Sequence, residues 1–325
     1  MGDPESVEVI TDRAEDVCDQ EKALRGWTQC YSQLQPGRFA GELREVVIPG
    51  VRLIRETTNL RLHQHTAPPP DMVVIGLPSL RSAPARFEGK EVEENDIMAF
   101  SGAKVCEFIC SGPMSVLAIA IDARRLKDYR LTLPGMDRLR SGCFPSSHAT
   151  KLRAELERLL NSVPEAGAAP QEAAGPGGLL RHAGVHMPIL DRCLQVVEQI
   201  TSDAPEPERS LAPSQRHVLV DRVVEYVRAH PDDTLSVAQI AQAVGVTTRM
   251  LEYSFASVLG ITPKAWLRMI RLNAARRALK AADPRSATVA GIAMDHGFWH
   301  LGRFSTYYAA MYGEKPSDTL KARAQ

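Results

Sequence analysis

Several absences narrow the chain before any motif does. Its 325 residues hold no apolar run approaching the roughly 18–20 that a membrane-spanning helix needs, so no transmembrane segment is expected. The opening MGDPESVEVITDRAEDVC is acidic and polar, where a secretory signal is basic and then apolar, and a cytoplasmic protein is expected. Six cysteines (Cys18, Cys30, Cys106, Cys110, Cys143 and Cys193) form no CxxC pair and no zinc-ligand spacing. They read as reduced, structural thiols. No Ser-His-Asp arrangement, phosphate-cradling glycine loop or nucleotide fingerprint is present, so no catalytic residue is expected and the chain reads as a non-enzyme.

What is present is ordinary for a globular protein, with 44% hydrophobic and 24% charged residues, and the length suits about two domains. A net charge of zero conceals an asymmetry: residues 214–325 carry 15 Lys and Arg against 9 Asp and Glu, leaving +6, and residues 1–213 therefore carry −6. A basic module beside an acidic one fits a nucleic-acid-binding domain joined to a different kind of domain. The proline-rich DAPEPERSLAP marks the junction, because proline lacks an amide donor and disfavours helix before it. This gives a first domain over 1–203, a linker over 204–213 and a second domain over 214–325. VPEAGAAPQEAAGPGG (163–178) reads as a loop within the first domain.

Between 40 and 121 the chain reads as short strands, GELREVVI, VRLIRET, LRLHQHT, MVVIGLP, DIMAF and SVLAIAID, separated by turn chemistries such as PG, APPPD and SGP. Such spacing predicts a sandwich or small barrel. Helical spacing follows over 146–161 and 189–202.

Past the linker the pattern is helical throughout, beginning with an amphipathic stretch over 215–230, and one device occurs twice. IAQAVG (240–245) is echoed 52 residues later by IAMDHG (292–297). Ser236 and Thr288 are placed to cap the short helices, and Gly245 and Gly297 to end them. Thr247 or Thr248 can cap TRMLEYSFASVLG, and HLGRFSTYYAAMY follows the second turn. Leu251 and Phe255 correspond to Phe304 and Tyr308 at a spacing of 53, so the second turn is one residue longer. Short helix, glycine turn and second helix make a helix-turn-helix.

With those residues inward, the outward face of the first copy presents Thr247, Thr248, Arg249, Glu252 and Tyr253. The second presents Trp299, His300, Gly302, Arg303 and Thr306. Arg can bond guanine bidentately, Glu can accept from cytosine, and Thr can touch a thymine methyl. Between the copies, Pro263 opens a long helix whose Lys264, Arg268, Arg271, Arg276 and Arg277 could contact the DNA backbone. Trp266, Met269 and Ile270 read as core, and Pro316 opens a last short helix.

The segments LSVAQIAQAVGVTTRMLEYSFASVLGITPKAWLRMIRLNAARRAL and TVAGIAMDHGFWHLGRFSTYYAAMYGEKPS resemble the DNA-binding module of the AraC/XylS family of bacterial transcription regulators. The resemblance covers roughly 218–322. It implies an α+β multi-domain protein: an effector-sensing, dimerising cupin-like β barrel with trailing helices, then an all-α domain with two helix-turn-helix motifs. It also implies promoter binding to double-stranded DNA as a homodimer, contact with RNA polymerase and transcriptional activation, with 189–202 as the dimer helix. WTQCYSQLQPGRFAGEL (27–43), WLRMIRLNAARR and GFWHLGRF are similar to the branch of that family regulating ethanolamine-utilisation operons, which implies ethanolamine and adenosylcobalamin as effectors. No N-terminal motif names effector-binding residues.

Because cupin-like barrels can also be metal enzymes, His63 and His65 in LHQHT are candidate ligands, since alternate residues on a strand share a face. No Glu follows at short spacing, and KVCEFIC (104–110) brings no third His. The pair therefore reads as wall or surface histidines with no metal, and Cys106 and Cys110 as buried thiols.

Overall fold

The computed structural model describes residues 8–79, 84–102, 105–124, 141–162, 215–231 and 234–322, with parts of 191–199. The predicted loop over 163–178 and linker over 204–213 lie outside the described residues, as does most of 189–202, although the described residues there are helical. The chain divides into two compact units, Met1–Tyr31 with Phe39–Glu208 and Ser32–Arg38 with Arg209–Gln325.

The first unit contains β1 (Glu8–Ala14), α1 (Val17–Ala23), β2 (Thr28–Gln33, its last two residues clustering with the second unit), β3 (Gly41–Ile48), β4 (Val51–Thr58), β5 (Leu62–Ala67) and β6 (Met72–Ser79). β7 (Ala85–Phe87), β8 (Lys90–Val92), β9 (Asp96–Ser101), β10 (Cys106–Cys110), β11 (Met114–Asp122), β12 (Ser141–Pro145) and α2 (Ala149–Ser162) follow. All six strands expected over 40–121 form. Together with the other strands of this unit they build, among the described residues, a seven-stranded sheet, β1-β3-β4-β11-β6-β9-β12, and a five-stranded one, β2-β5-β10-β7-β8. The expected cupin-like barrel is not shown, because no barrel closes among the described residues. The sheets keep separate edges, and the arrangement is a sandwich.

Why MVVIGLP is apolar without alternation becomes clear from its neighbours, since β6 is covered on both faces. Val73, Ile75 and Leu77 join Leu152, Leu156 and Leu160 of α2 in one core, while Val74 joins Leu62, Phe87, Phe108 and Tyr31 in a second. The period-two alternation of a strand sends successive residues to different cores. At the β3–β4 hairpin, Val51 pairs Ile48 across Pro49-Gly50, with Gly50 at φ +87°, a conformation glycine adopts without steric cost.

The second unit contains α3 (Gln215–Ala229), α4 (Val237–Ala243), α5 (Thr248–Leu259), α6 (Pro263–Ala281), α7 (Val289–Asp295), α8 (Leu301–Tyr312) and α9 (Pro316–Lys321). Every expected helix is present. Leu272, Ala275, Leu279, Ile292, Phe304 and Tyr308 form the core of its C-terminal half. In the N-terminal half Phe255 meets the buried Trp266 edge-on, ring centroids 5.3 Å apart.

Segment Ser32–Arg38 belongs to this unit through hydrogen bonds. The Gln33 amide donates to Asn273 Oδ1 (3.1 Å), Asn273 Nδ2 donates to the Gln33 carbonyl (3.0 Å), and the Gly37 amide donates to the Met311 carbonyl (2.9 Å). A side-chain amide on α6 thus serves as a strand partner.

Candidate nucleic-acid interface

The repeat seen as letters is also a repeat of hydrogen bonds. After α4, the amides of Val244, Gly245 and Val246 donate to the carbonyls of Ile240, Gln242 and Ala241 at 3.0, 3.1 and 2.9 Å. After α7, those of His296, Gly297 and Phe298 donate to Ile292, Met294 and Ala293 at 3.2, 2.9 and 2.9 Å. Gly245 (φ +72°) and Gly297 (φ +78°) take the left-handed conformation that turns the chain. Each short helix is capped as expected. Ser236 Oγ accepts from the Gln239 amide while Gln239 Oε1 accepts from the Ser236 amide, and Thr288 Oγ1 accepts from the Gly291 amide.

Each second helix buries one stripe and shows another. α5 buries Leu251, Phe255 and Leu259, and α8 buries Phe304, Tyr308 and Met311. Thr247, which caps α5, lies exposed with Thr248, Arg249, Glu252 and Tyr253; in the second copy Trp299, His300, Gly302, Arg303 and Thr306 are likewise exposed. Phe298 is partly buried against Phe304, with ring centroids 5.0 Å apart. Large apolar side chains also stand in solvent here: Met250 is 56% exposed, Tyr253 63% and Trp299 70%. Met250, Leu301 and Tyr307 were not singled out from sequence, although Met250 follows directly on the exposed Thr248 and Arg249. The Arg216 guanidinium lies 4.5 Å from the Tyr253 ring centroid, and Arg268 lies 4.6 Å from that of Tyr307, distances that suit cation–π attraction.

Of the six basic residues of α6, the five expected at the DNA backbone do not act alike. Lys264 is exposed, and Arg268 and Arg277 are half-buried. Arg276 must be removed from the backbone-contacting set: it is buried, donates to Tyr308 Oη (3.0 Å) and Glu314 Oε1 (2.9 Å), and stacks 4.3 Å from the Tyr312 ring centroid. Helical phase turns it onto the stripe of Leu272 and Leu279. Arg271 also faces protein, donating to the Leu235 carbonyl, and burial lowers its pKa. Burial pushes the Tyr308 hydroxyl up to about 12.

Two features of the first unit bear on ligands. A cavity of about 60 Å³ lies in the sandwich, lined by Trp27, Tyr31, Glu56, Gln64, Thr66 and apolar residues. Glu56 accepts from Gln20 Nε2 (2.7 Å) and Tyr31 Oη (2.8 Å), and burial holds its pKa above the usual range. Trp27 Nε1, Gln29 Oε1, Gln64 Nε2 and Thr66 Oγ1, all on lining residues, are buried without a hydrogen-bond partner, a costly state unless something else pairs them. Separately, His63 and His65 gather with Glu107, their ligand atoms all within 4.8 Å of one another. The acid missing beside the histidines in sequence arrives across the sheet, opposite His65 on β10.

Paired capped turns, a connecting helix and the exposed faces of two second helices define a double helix-turn-helix domain. Residues 240–322 match the family model described as a helix-turn-helix domain. A probable thc operon regulatory protein from Rhodococcus erythropolis is 43% identical over 103 residues, 32% of this chain and 31% of that protein. A XylDLEGF operon transcriptional activator from Pseudomonas putida is 34% identical over 101 residues, 31% of this chain and 32% of that one. A crystal structure of a probable AraC family transcriptional regulator from Rhodopseudomonas palustris is 30% identical with a TM-score of 0.30, covering 33% of this chain and 97% of that one. The helical unit of this chain is a helix-turn-helix domain of the AraC/XylS type. The chain spans about a third of the length of these curated relatives.

Proposed function

We propose that the chain is an effector-responsive, sequence-specific DNA-binding regulator that activates transcription, acting as a homodimer and touching RNA polymerase. The observation that carries the DNA-binding part is the duplicated turn with its two exposed recognition faces. α6, of 19 residues, is roughly 28 Å long at 1.5 Å per residue, and successive major-groove segments lie about 34 Å apart. That match supports insertion of α5 and α8 into two adjacent turns of one duplex face. Activation is supported by the similarity to the XylDLEGF operon transcriptional activator of Pseudomonas putida.

Effector response is supported by the cavity and its unpaired polar atoms. About 60 Å³ gives room for roughly four to six water-sized groups at 10–15 Å³ each, which suits a compact polar molecule. Ethanolamine meets that description: its ammonium would find the Glu56 carboxylate and the faces of Trp27 and Tyr31. Adenosylcobalamin far exceeds this volume, so as a co-effector it would act elsewhere.

Binding of full-length protein to its own upstream region and to random duplex of equal length, at fixed physiological salt, tests the reading. Preference for the upstream region that strengthens with ethanolamine plus adenosylcobalamin is the expected result. Preference unmoved by them removes these effectors and keeps the regulator; equal binding to both duplexes removes sequence-specific regulation.

A further inference from the structure

We infer that the face of the five-stranded sheet turned away from the cavity carries a first-row divalent metal site, made by His63, His65 and Glu107 and independent of the DNA-binding role. His63 and His65 are two apart on β5 and so project to one side. Glu107, directly opposite His65 on antiparallel β10, projects to that same side, as cross-strand partners do. Gln64 and Thr66, the alternate residues, line the cavity on the other side. The metal cluster and the cavity are thus separated by the thickness of one sheet.

The three donors converge on one point. Glu107 Oε1 is 2.5 Å from His63 Nε2 and 3.9 Å from His65 Nε2, and the imidazole centroids are 4.4 Å apart. Ligands at 2.0–2.2 Å from a tetrahedral ion sit roughly 3.4 Å from one another, inside the spread seen here, so modest side-chain rotations complete the set. His63 is 1% exposed, and the side chains of His65 and Glu107 are 12% and 16% exposed, so the cluster is largely shielded from water. A cation there would take the place of the proton that His63 Nε2 and Glu107 Oε1 now share.

Rigidity favours the same reading. The ligands stand on paired strands, and Glu88 clamps residue 107 from both ends, its Oε1 accepting from the Glu107 amide (2.8 Å) and its amide donating to the Glu107 carbonyl (3.0 Å). Among described non-glycine residues Glu88 alone has a positive φ, 50°, a conformation that persists where surroundings enforce it. Two imidazoles and one carboxylate suit Zn²⁺ or its neighbours rather than Ca²⁺ or Mg²⁺, which prefer oxygen, or Cu(I), which prefers sulfur. Three protein ligands leave a fourth position for water or a small donor.

The test uses untagged full-length protein stripped with chelator and titrated with Co²⁺, with Zn²⁺ as competitor. Expected are visible d–d absorption saturating at one ion per chain without thiolate charge transfer, displacement by Zn²⁺, and affinity lowered at least tenfold in His65→Ala and in Glu107→Gln. Glu107→Gln keeps the side chain's size, so it reads the site even where His65→Ala folds poorly. His148→Ala should bind like the parent. Absence of saturable binding, or binding retained by both site variants, overturns the assignment.

Discussion

At the scale of single residues, Arg303 and Gly302 separate reading from packing. Arg303→Ala should weaken binding to the specific site by about 1–3 kcal/mol while leaving random duplex less affected; an equal loss on both, in competition binding, would make Arg303 a phosphate contact. Gly302 lies in the first turn of α8, and a Cβ there would meet nothing within 4 Å. Gly302→Ala is therefore expected to stabilise the helix by roughly 0.5–1 kcal/mol, visible as a raised Tm, yet to weaken DNA binding by holding the backbone off the duplex. Unchanged affinity would place Gly302 away from the DNA. Asn273→Ala should cost about 1–3 kcal/mol in urea unfolding, because it strands the amide and carbonyl of Gln33. A polar residue directly after Leu272 in an apolar stripe is the one sign of this in sequence, and it names no partner, since Gln33 lies 240 residues away.

At the scale of elements, the two turns and α6 make separable predictions. Gly245→Ala places a side chain at φ +72° with open space around it, which should cost about 1 kcal/mol. Gly297→Ala adds a contact at 2.7 Å to Thr234, and should cost more; thermal melts showing equal losses would mean that the neighbour yields freely. On α6, Lys264→Ala should weaken binding to all duplexes and reduce the salt slope by about 1 with stability intact. Arg276→Met should do the opposite, lowering stability by about 2 kcal/mol through loss of the Arg276 bonds to Tyr308 and Glu314, which then keep only Thr319. The caps and turns of this unit were legible because their causes are local: a hydroxyl three residues from an amide, a glycine where φ turns positive. Arg276 was misread because composition reports charge, whereas burial depends on which side of the helix the core occupies.

At the scale of the whole molecule, the first unit stores acids in its interior, and this fixes a pH dependence. Burial raises the pKa of Glu56 and of Glu45 above the ordinary 4.5. A raised folded-state value means that the folded protein holds the proton more tightly than the unfolded chain. The associated stability is then fully present below about 4.5 and is lost as pH rises through the folded-state values. Glu56→Gln, which cannot ionise, should gain stability relative to the parent as pH rises from 4 to 7. Paired urea titrations across that range check it, and a difference that does not grow with pH would mean that burial does not raise the Glu56 pKa in the folded protein.

The sequence by itself determined the six strands between 40 and 121, the helices of the second unit, the paired turns, their caps and which faces of α5 and α8 point outward. Each of these follows from spacing within one or two helical turns or within one hairpin. Tertiary structure alone decided that the strands form a sandwich of separate sheets, that Ser32–Arg38 joins the helical unit, that Arg276 is a core residue, and that Glu107 completes the pair of histidines. Closure of a sheet and meetings across 44 or 240 residues depend on which chain surfaces exclude water together. Short-range periodicity carries no record of that.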